Sequence, residues 1–200
     1  SGELGDTSIQ SLKANMDITK ADLFATHWYT EPLTLKGNLI ADFSSLEPQR
    51  VEGSAFLTDW QIATQGQVFP LDSISLVAKY DDQQYLTLKS PFGLIAANGR
   101  MDYTKIGNAF SQIISKPLLP ADSGKVVAIP AGQYLQFTAS LQWPRSLQSM
   151  MPGLRMEVPL NIGGRLNSDS SLLFVKASLP KINYDSLQVD SLLLYAKIVD

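Results

Sequence analysis

The sequence predicts a mainly β protein: a strongly curved antiparallel sheet that forms an open half-barrel or groove and carries two short helices. Three observations support this fold class. Apolar and polar residues alternate with a period of two over most of the chain. One strand-like segment occurs twice. Glycines recur inside the strand patterns, where they commonly mark bulges or sharp bends.

The repeated segment is Leu71 to Tyr80, LDSISLVAKY, which returns as Val189 to Ile198, VDSLLLYAKI. The two copies share Asp, Ser, Ala and Lys, and their apolar residues fall at the same parity. A chain that repeats a strand unit is expected to build an extended scaffold in which each strand needs a neighbour. Function is therefore expected in a surface rather than in a pocket.

The alternation predicts about a dozen strands, which exceeds the usual number of about four to six in one sheet. The most regular alternating runs begin at Leu12, Leu35, Leu135 and Met156. Further strands are predicted at Leu23 to Tyr29, Gly53 to Ile62, Ile74 to Tyr80, Tyr85 to Lys89, Leu94 to Tyr103, Leu172 to Leu179 and Leu192 to Val199. Because Gly93, Gly99, Gly163 and Gly164 fall inside or beside these strands, the sheet is expected to curl strongly.

Two segments have helical spacing instead. Thr104 to Lys116 places several apolar residues on one side of a helix, and Pro117 would end it. Pro144 to Met151 predicts a second short helix, which would end before Pro152. Since amphipathic helices usually bury their apolar side within the fold, both are expected to close an end of the sheet core.

The chain is expected to contain two units. Residues 1–120 would form a first β-groove unit that ends in a short helix, and residues 121–200 would form a second β-groove unit. Because both halves carry the repeated strand, we expect them to join in one continuous elongated module.

Composition excludes several classes of function. The 16 Lys and Arg are dispersed among 19 Asp and Glu, for a formal net charge of -3, so nucleic acid is not an expected partner. The chain has no Cys, and His27 is its only His, so thiolate and histidine-cluster metal sites and Cys nucleophiles are excluded. Neither a dinucleotide fingerprint nor a Walker sequence occurs, so no cofactor is implied. We expect no catalytic residues and no enzyme.

Several predicted strands are apolar on both faces, for example Leu172 to Val175 and Leu192 to Tyr195. One face can pack against the rest of the protein, but the other also needs a cover. A second sheet or a helix would provide that cover in a closed sandwich. Alternatively, the concave side of the sheet holds hydrocarbon chains, which satisfy apolar side chains as well as a protein core does. The residues alone leave both alternatives open.

Between Val51 and Ile106 the chain reads VEGSAFLTDWQI, FPLDSISLVAKY and LTLKSPFGLIAANGRMDYTKI. An Asp-Ser-Ile-x-Leu strand is followed by a Leu-x-Leu-x-Ser strand, and then by a small-residue strand that ends in Gly-x-x-x-Tyr. This order resembles the translocation and assembly module TamB family of the AsmA-like superfamily, in its Bacteroidetes form. The segment from about Met150 to Ile198 resembles the next unit of that family, through Gly164 and the run VDSL.

The resemblance implies an internal periplasmic segment of a long envelope protein of Gram-negative bacteria, whose parent is anchored in the inner membrane. It implies a non-enzymatic groove of the β-taco type that carries phospholipid between the inner and outer membranes and aids outer-membrane protein assembly. An outer-membrane partner of the Omp85 class would act through parts of the parent that this chain lacks. No catalytic consensus is carried over.

If the face shared by the two repeats lines the groove, its wall is expected to consist of apolar residues of one parity. These candidates for lipid binding are Ile74, Leu76, Ala78, Tyr80, Leu86, Leu88, Leu192, Leu194, Ala196 and Ile198. Lys79 and Lys197 have the opposite parity and are expected to point to water. A closed all-β binding or adhesion module of the cell envelope is the alternative, because it explains the same alternation. An enzyme ranks last, since no convergent polar constellation can be assembled.

Overall fold

A computed structural model describes residues 11–26, 32–64, 66–115, 129–179 and 181–199, and the structural statements below concern these ranges. They hold fourteen strands, one α-helix and one 3₁₀ turn. The strands are β1 (Leu12–Asp22), β2 (Leu33–Glu47), β3 (Arg50–Thr64), β4 (Gln67–Leu71), β5 (Ile74–Asp81), β6 (Gln83–Ser90), β7 (Gly93–Arg100), β8 (Tyr134–Leu141), β9 (Leu154–Met156), β10 (Leu160–Asn167), β11 (Leu172–Leu179), β12 (Ile182–Tyr184), β13 (Leu187–Val189) and β14 (Leu192–Ile198). The helix is α1 (Ile106–Ser115), and the 3₁₀ turn is Arg145–Leu147.

Eleven strands form one antiparallel sheet. Its path runs β1-β2-β3-β5-β6-β7-β8-β10-β11-β14, and β4 pairs with β3 beside this path. Three short strands form a second antiparallel sheet in the order β13-β12-β9. Most neighbours on the path are also neighbours in sequence, because short turns join antiparallel strands directly. The prediction of a mainly β, antiparallel fold is confirmed.

The predicted strong curvature is wrong. The large sheet is open, with β1 and β14 at its two ends, and it is not strongly curled. Among the described ladders of this sheet, register shifts occur only in β1–β2 and β2–β3. A Cβ at Gly93 would come within 1.9 Å of Ser140 O, and one at Gly99 within 2.0 Å of Tyr134 O. These glycines therefore allow the backbone of β8 to approach closely within a regular ladder, instead of bending the sheet.

The first predicted helix is confirmed as α1, and a turn centred on Asp102 leads into it. Asp102 Oδ1 accepts hydrogen bonds from the backbone N and the hydroxyl of Thr104, and Lys105 Nζ lies 3.1 Å from Asp102 Oδ2. Asp102 O accepts the backbone N–H of Ile106 at 2.8 Å. The Thr104 hydroxyl contributes most to lowering the pKa of Asp102 to about 2, although burial acts in the opposite direction. Asp102 thus acts as an N-terminal cap for α1.

The second predicted helix, Pro144 to Met151, is wrong. Only Arg145–Leu147 has helical character, as one 3₁₀ turn that is followed by further turns. Trp143 Nε1 donates to the carbonyl of Leu147 at 3.2 Å, and Gln148 Nε2 donates to the carbonyls of Met151 and of Leu154 in β9. These bonds from side chain to backbone stabilise turns in place of a helix, and Leu147 packs against Phe69 and Leu71 of β4.

The strand predicted at Leu23 to Tyr29 is wrong in its described part, where residues 23–26 form a turn. Asp22 Oδ1 accepts a hydrogen bond from the backbone N of Ala25, three residues on, at 3.0 Å, and such a local bond from side chain to backbone competes with strand pairing. The remainder of that prediction, with His27, lies outside the described residues.

Candidate functional site

Ladder pairing shows which side chains share a face of the large sheet, because directly paired residues point to the same side. Leu76 has a direct partner on each neighbouring strand, and following such partners from strand to strand in both directions defines a row that crosses all ten strands of the path. Every residue in this row is apolar: Ala14, Ala41, Ala55, Leu76, Leu88, Ile95, Ala139, Ile162, Ala177 and Leu194. We call the side of the sheet that bears this row the apolar face.

A second row, two residues along each strand, is apolar as well. It consists of Leu12, Phe43, Gly53, Ala78, Leu86, Ala97, Phe137, Gly164, Val175 and Ala196. The alternation read from single strands therefore adds up to an apolar surface that extends from β1 to β14.

All ten residues predicted to line a groove wall lie on the apolar face, and the two repeats occupy equivalent positions on it. Leu76 and Leu194 share the first row, and Ala78 and Ala196 share the second. Since β5 and β14 are separated by five strands of the path, the sequence repeat corresponds to a repeat in space.

The opposite side, which we call the polar face, has a mixed composition. Its row between the two apolar rows consists of Lys13, Asp42, Ser54, Val77, Thr87, Ala96, Thr138, Gly163, Lys176 and Tyr195. Lys79 and Lys197 lie on this side and are exposed, in agreement with their predicted parity. Exposed large apolar side chains occur on both faces, but only on the polar face do charged and hydroxyl residues interrupt every row.

Segments of the chain cover the apolar face at both ends of its strands. At one end α1 packs on β10 and β11, where Ile113 is buried with Leu166 and Leu173. At the other end, beyond the C-terminus of β8, Leu147 is buried with Phe69 and Leu71 of β4. Each cover buries apolar area and so stabilises its end of the sheet.

Between these covers the apolar face is partly accessible to solvent, although Ala41, Phe43 and Ala78 form a buried cluster on β2 and β5. Ile95 is 37% exposed and Leu194 is 53% exposed, although both belong to the first row. Leu76, Leu88 and Ile162 are half-buried. The middle of the face is thus neither sealed by a second layer nor fully solvated, which leaves an apolar strip between two covers.

Gln84 is a buried polar residue of the apolar face, with 1% exposure. Its Oε1 accepts the backbone N–H of Val51 at 2.8 Å, and its Nε2 donates to Val51 O at 2.7 Å and to Lys79 O at 2.9 Å. The β3–β5 ladder ends at Gly53 and Ala78, so the Gln84 amide satisfies backbone groups that lie beyond its last pair.

Sequence reasoning missed Ile95, Ala139 and Ile162, which are central to the first row. The predicted groove wall was drawn only from the two repeated strands, β5 and β14, and from β6, which follows β5. The order of the strands between β5 and β14 was not known from the sequence. The period-two alternation of β8 and β10 was available in the sequence and would have identified the apolar parity of these strands.

The ionisable groups whose pKa values are shifted lie beside α1. Burial raises the pKa of Tyr103 to about 12, and its hydroxyl has no hydrogen-bond partner within the described residues. Tyr103 directly follows the capping residue Asp102, so both shifts belong to the start of the helix. In the described part of the chain, no three His, Asp or Glu side chains are grouped as a metal site requires.

Among the described residues, no helix has the length and apolar character that crossing a membrane requires. Comparisons with models of protein families, with curated proteins and with solved structures found no significant match to this chain.

Proposed function

We propose that the chain is a non-enzymatic segment of a TamB- or AsmA-like envelope protein, in which the apolar face carries phospholipid acyl chains. One observation supports this most directly. The first apolar row crosses ten strands without a polar residue, and its middle and its β14 end stay accessible to solvent. A row whose only role was to form a core would be expected to be covered along its length.

The chemistry of such a surface suits a passive carrier. Burial of each CH₂ group of an acyl chain contributes about 0.8 kcal/mol, and this attraction has no direction. Acyl chains on the apolar face would therefore bind without specific polar contacts, while their headgroups remain in water. We expect weak selectivity among phospholipids as a consequence.

The cellular setting of the proposal rests on the resemblance of the two strand units to the TamB family. We propose the periplasm as the location, with the parent protein anchored in the inner membrane and delivering lipid toward the outer membrane. An Omp85-class partner would engage other parts of the parent protein.

Leu193 and Leu194 provide a matched test, since they are neighbours on β14, lie on opposite faces, and are 65% and 53% exposed. We expect Leu194→Asp, combined with Ile95→Asp, to reduce several-fold the phospholipid that copurifies with the protein, as measured by extraction and mass spectrometry. The control pairs Leu193→Asp with Ile40→Asp, two exposed residues of the polar face, and should retain wild-type lipid.

Thermal unfolding of each variant would separate loss of lipid from loss of fold. The proposal fails if folded wild-type protein retains no phospholipid, or if both pairs of substitutions reduce retention equally.

A closed all-β binding or adhesion module of the envelope is the second candidate. The observation in its favour is the cover that α1 and Leu147 already provide at both ends of the strands. Under this alternative, the purified protein carries no lipid and Leu194→Asp changes only its solubility.

A further inference from the structure

A depression of about 780 Å³ lies on the polar face, across β8 and β10 with β7 and β11 at its sides. Gly163 lies at its centre, paired with Thr138 on one side and Lys176 on the other. The nearest atom to a Cβ at Gly163 would be Phe137 O, at 3.8 Å. The missing side chain therefore leaves open space above the sheet rather than making room for a neighbouring strand.

Longer side chains surround Gly163, which forms the floor of the depression. Arg165 pairs directly with Phe174, and its Cζ lies 5.8 Å from the centre of the Phe174 ring. The rings of Phe174 and Tyr195 pack edge to face, with 5.1 Å between their centres, so Phe174 also contacts β14. Leu94 lines the β7 side of the depression and is 46% exposed. The walls thus combine a cation with two apolar groups.

The charge around the depression is positive. Arg165 and Lys176 line it, and none of its described lining residues is Asp or Glu. Neither cation forms an ion pair among the described residues. Their backbone positions are diagonal neighbours, about 7–8 Å apart, so one small anion can approach both. Asn161 and Ser178 line the same depression and can donate further hydrogen bonds.

We propose that this depression binds an amphipathic anion. A phosphate, sulfate or carboxylate group would lie between Arg165 and Lys176, and an aliphatic or aromatic body would lie over Gly163 against Phe174 and Leu94. Its volume falls within the range of small-molecule sites, about 300–1,000 Å³. Because the depression and the apolar face are on opposite sides of the sheet, this inference does not depend on the proposed function.

The test uses octyl phosphate as the probe. Inorganic phosphate represents its anionic group alone, and octyl glucoside represents its alkyl chain without the charge. Titrations are followed by the backbone amide NMR signals of the protein. We expect saturable binding of octyl phosphate, with the largest shifts at Gly163 and Thr138, and at least tenfold weaker binding of either partial probe. Inorganic phosphate that binds as tightly as octyl phosphate would overturn the apolar part of the inference.

Variants then locate the site. Arg165→Gln and Lys176→Gln should each weaken octyl phosphate binding about tenfold, and Gly163→Val should do the same by filling the floor. Lys79→Gln removes a cation elsewhere on the polar face and should leave affinity unchanged. Thermal unfolding would confirm that each variant is folded.

Leu194→Asp distinguishes the two binding surfaces. It should leave octyl phosphate affinity unchanged, even if the same substitution removes copurified phospholipid. The inference is overturned if octyl phosphate does not saturate, if the shifts map to the apolar face, or if folded Lys176→Gln and Gly163→Val both bind like the wild type.

Discussion

The ring of Phe137 lies over Gly164, its direct partner in the β8–β10 ladder. A Cβ at position 164 would come within 2.6 Å of Phe137 Cζ and within 2.6 Å of Phe174 O, a backbone atom that cannot rotate away. Trp60 is placed similarly over Gly37, where a Cβ would lie 2.8 Å from the indole ring. Both glycines belong to the apolar face, so an aromatic ring fills the space that a missing side chain leaves.

We therefore expect Gly164→Ala to lower the free energy of unfolding by about 1–3 kcal/mol, because the added methyl group overpacks this position. Urea denaturation would measure the change. The adjacent Gly163→Ala is the matched control: its Cβ meets no atom closer than 3.8 Å, so stability should be unchanged or slightly higher. Equal losses in the two variants would contradict this account.

Gln84→Leu is expected to destabilise the protein even though it makes the apolar face more uniform. The substitution leaves Val51 N–H and Val51 O without their partner, and each buried unsatisfied group costs about 1–3 kcal/mol. The exposed Lys79→Gln serves as the control, and its unfolding free energy should stay within about 0.5 kcal/mol of wild type. A neutral Gln84→Leu would show that water replaces the amide.

Stability should depend on pH through Asp102. Its pKa is about 2 in the folded protein, below the value of about 3.9 expected for the unfolded chain. The carboxylate therefore stabilises the fold above about pH 4, and this contribution is lost as the pH falls toward 2.

Asp102→Ala should lower stability by about 1 kcal/mol at pH 7, the usual effect of losing a helix cap. The gap to the wild type should narrow as the pH falls from about 4 to about 2, as followed by urea denaturation at each pH. Thr104→Ala removes the hydroxyl that contributes most to lowering the pKa of Asp102, so its acid-dependent loss of stability should be smaller than in the wild type and should be complete at a higher pH. A gap that is constant between pH 2 and 7 would contradict the prediction.

Ile113→Ala tests how firmly α1 covers the sheet. Ile113 is 1% exposed and packs with Leu166 and Leu173, so the truncation should cost about 2–5 kcal/mol through lost burial and a cavity. Phe110 lies on the same helix but is 37% exposed, and Phe110→Ala should cost much less. If thermal unfolding shows similar small shifts for both, α1 contributes little to the fold.

The sequence predicted well the features that depend on local periodicity. Parity along a strand is set by the backbone, so alternation alone placed Leu76 and Leu194 on one face and Lys79 and Lys197 on the other. The repeat further indicated that Leu76 and Leu194 are equivalent, and they share a row in the sheet. The first helix was predicted from local spacing as well, since the apolar residues between Thr104 and Lys116 fall on one side of a helix.

The features that depend on pairing between distant strands were not predictable in this way. Whether Gly93 and Gly99 bend the sheet depends on β8, which approaches them from some 40 residues later in the sequence. The role of Gln84 required knowing where the β3–β5 ladder ends. The depression around Gly163 likewise needed the register of three strands, although Arg165 and Lys176 are close in sequence.

The direction of the apolar rows has a mechanical consequence. They run perpendicular to the strands, so comparable side chains recur about every 4.8 Å, and the ten strands extend over about 43 Å. A hydrocarbon guest lying along a row would meet an apolar side chain after each such step, and would slide lengthwise over low barriers. Motion along the strands would instead run into α1 or the Leu147 turn. Under the proposed function, the sheet would guide such a guest along one axis, and NMR line broadening of a bound fluorinated acyl chain would report how fast it moves between positions.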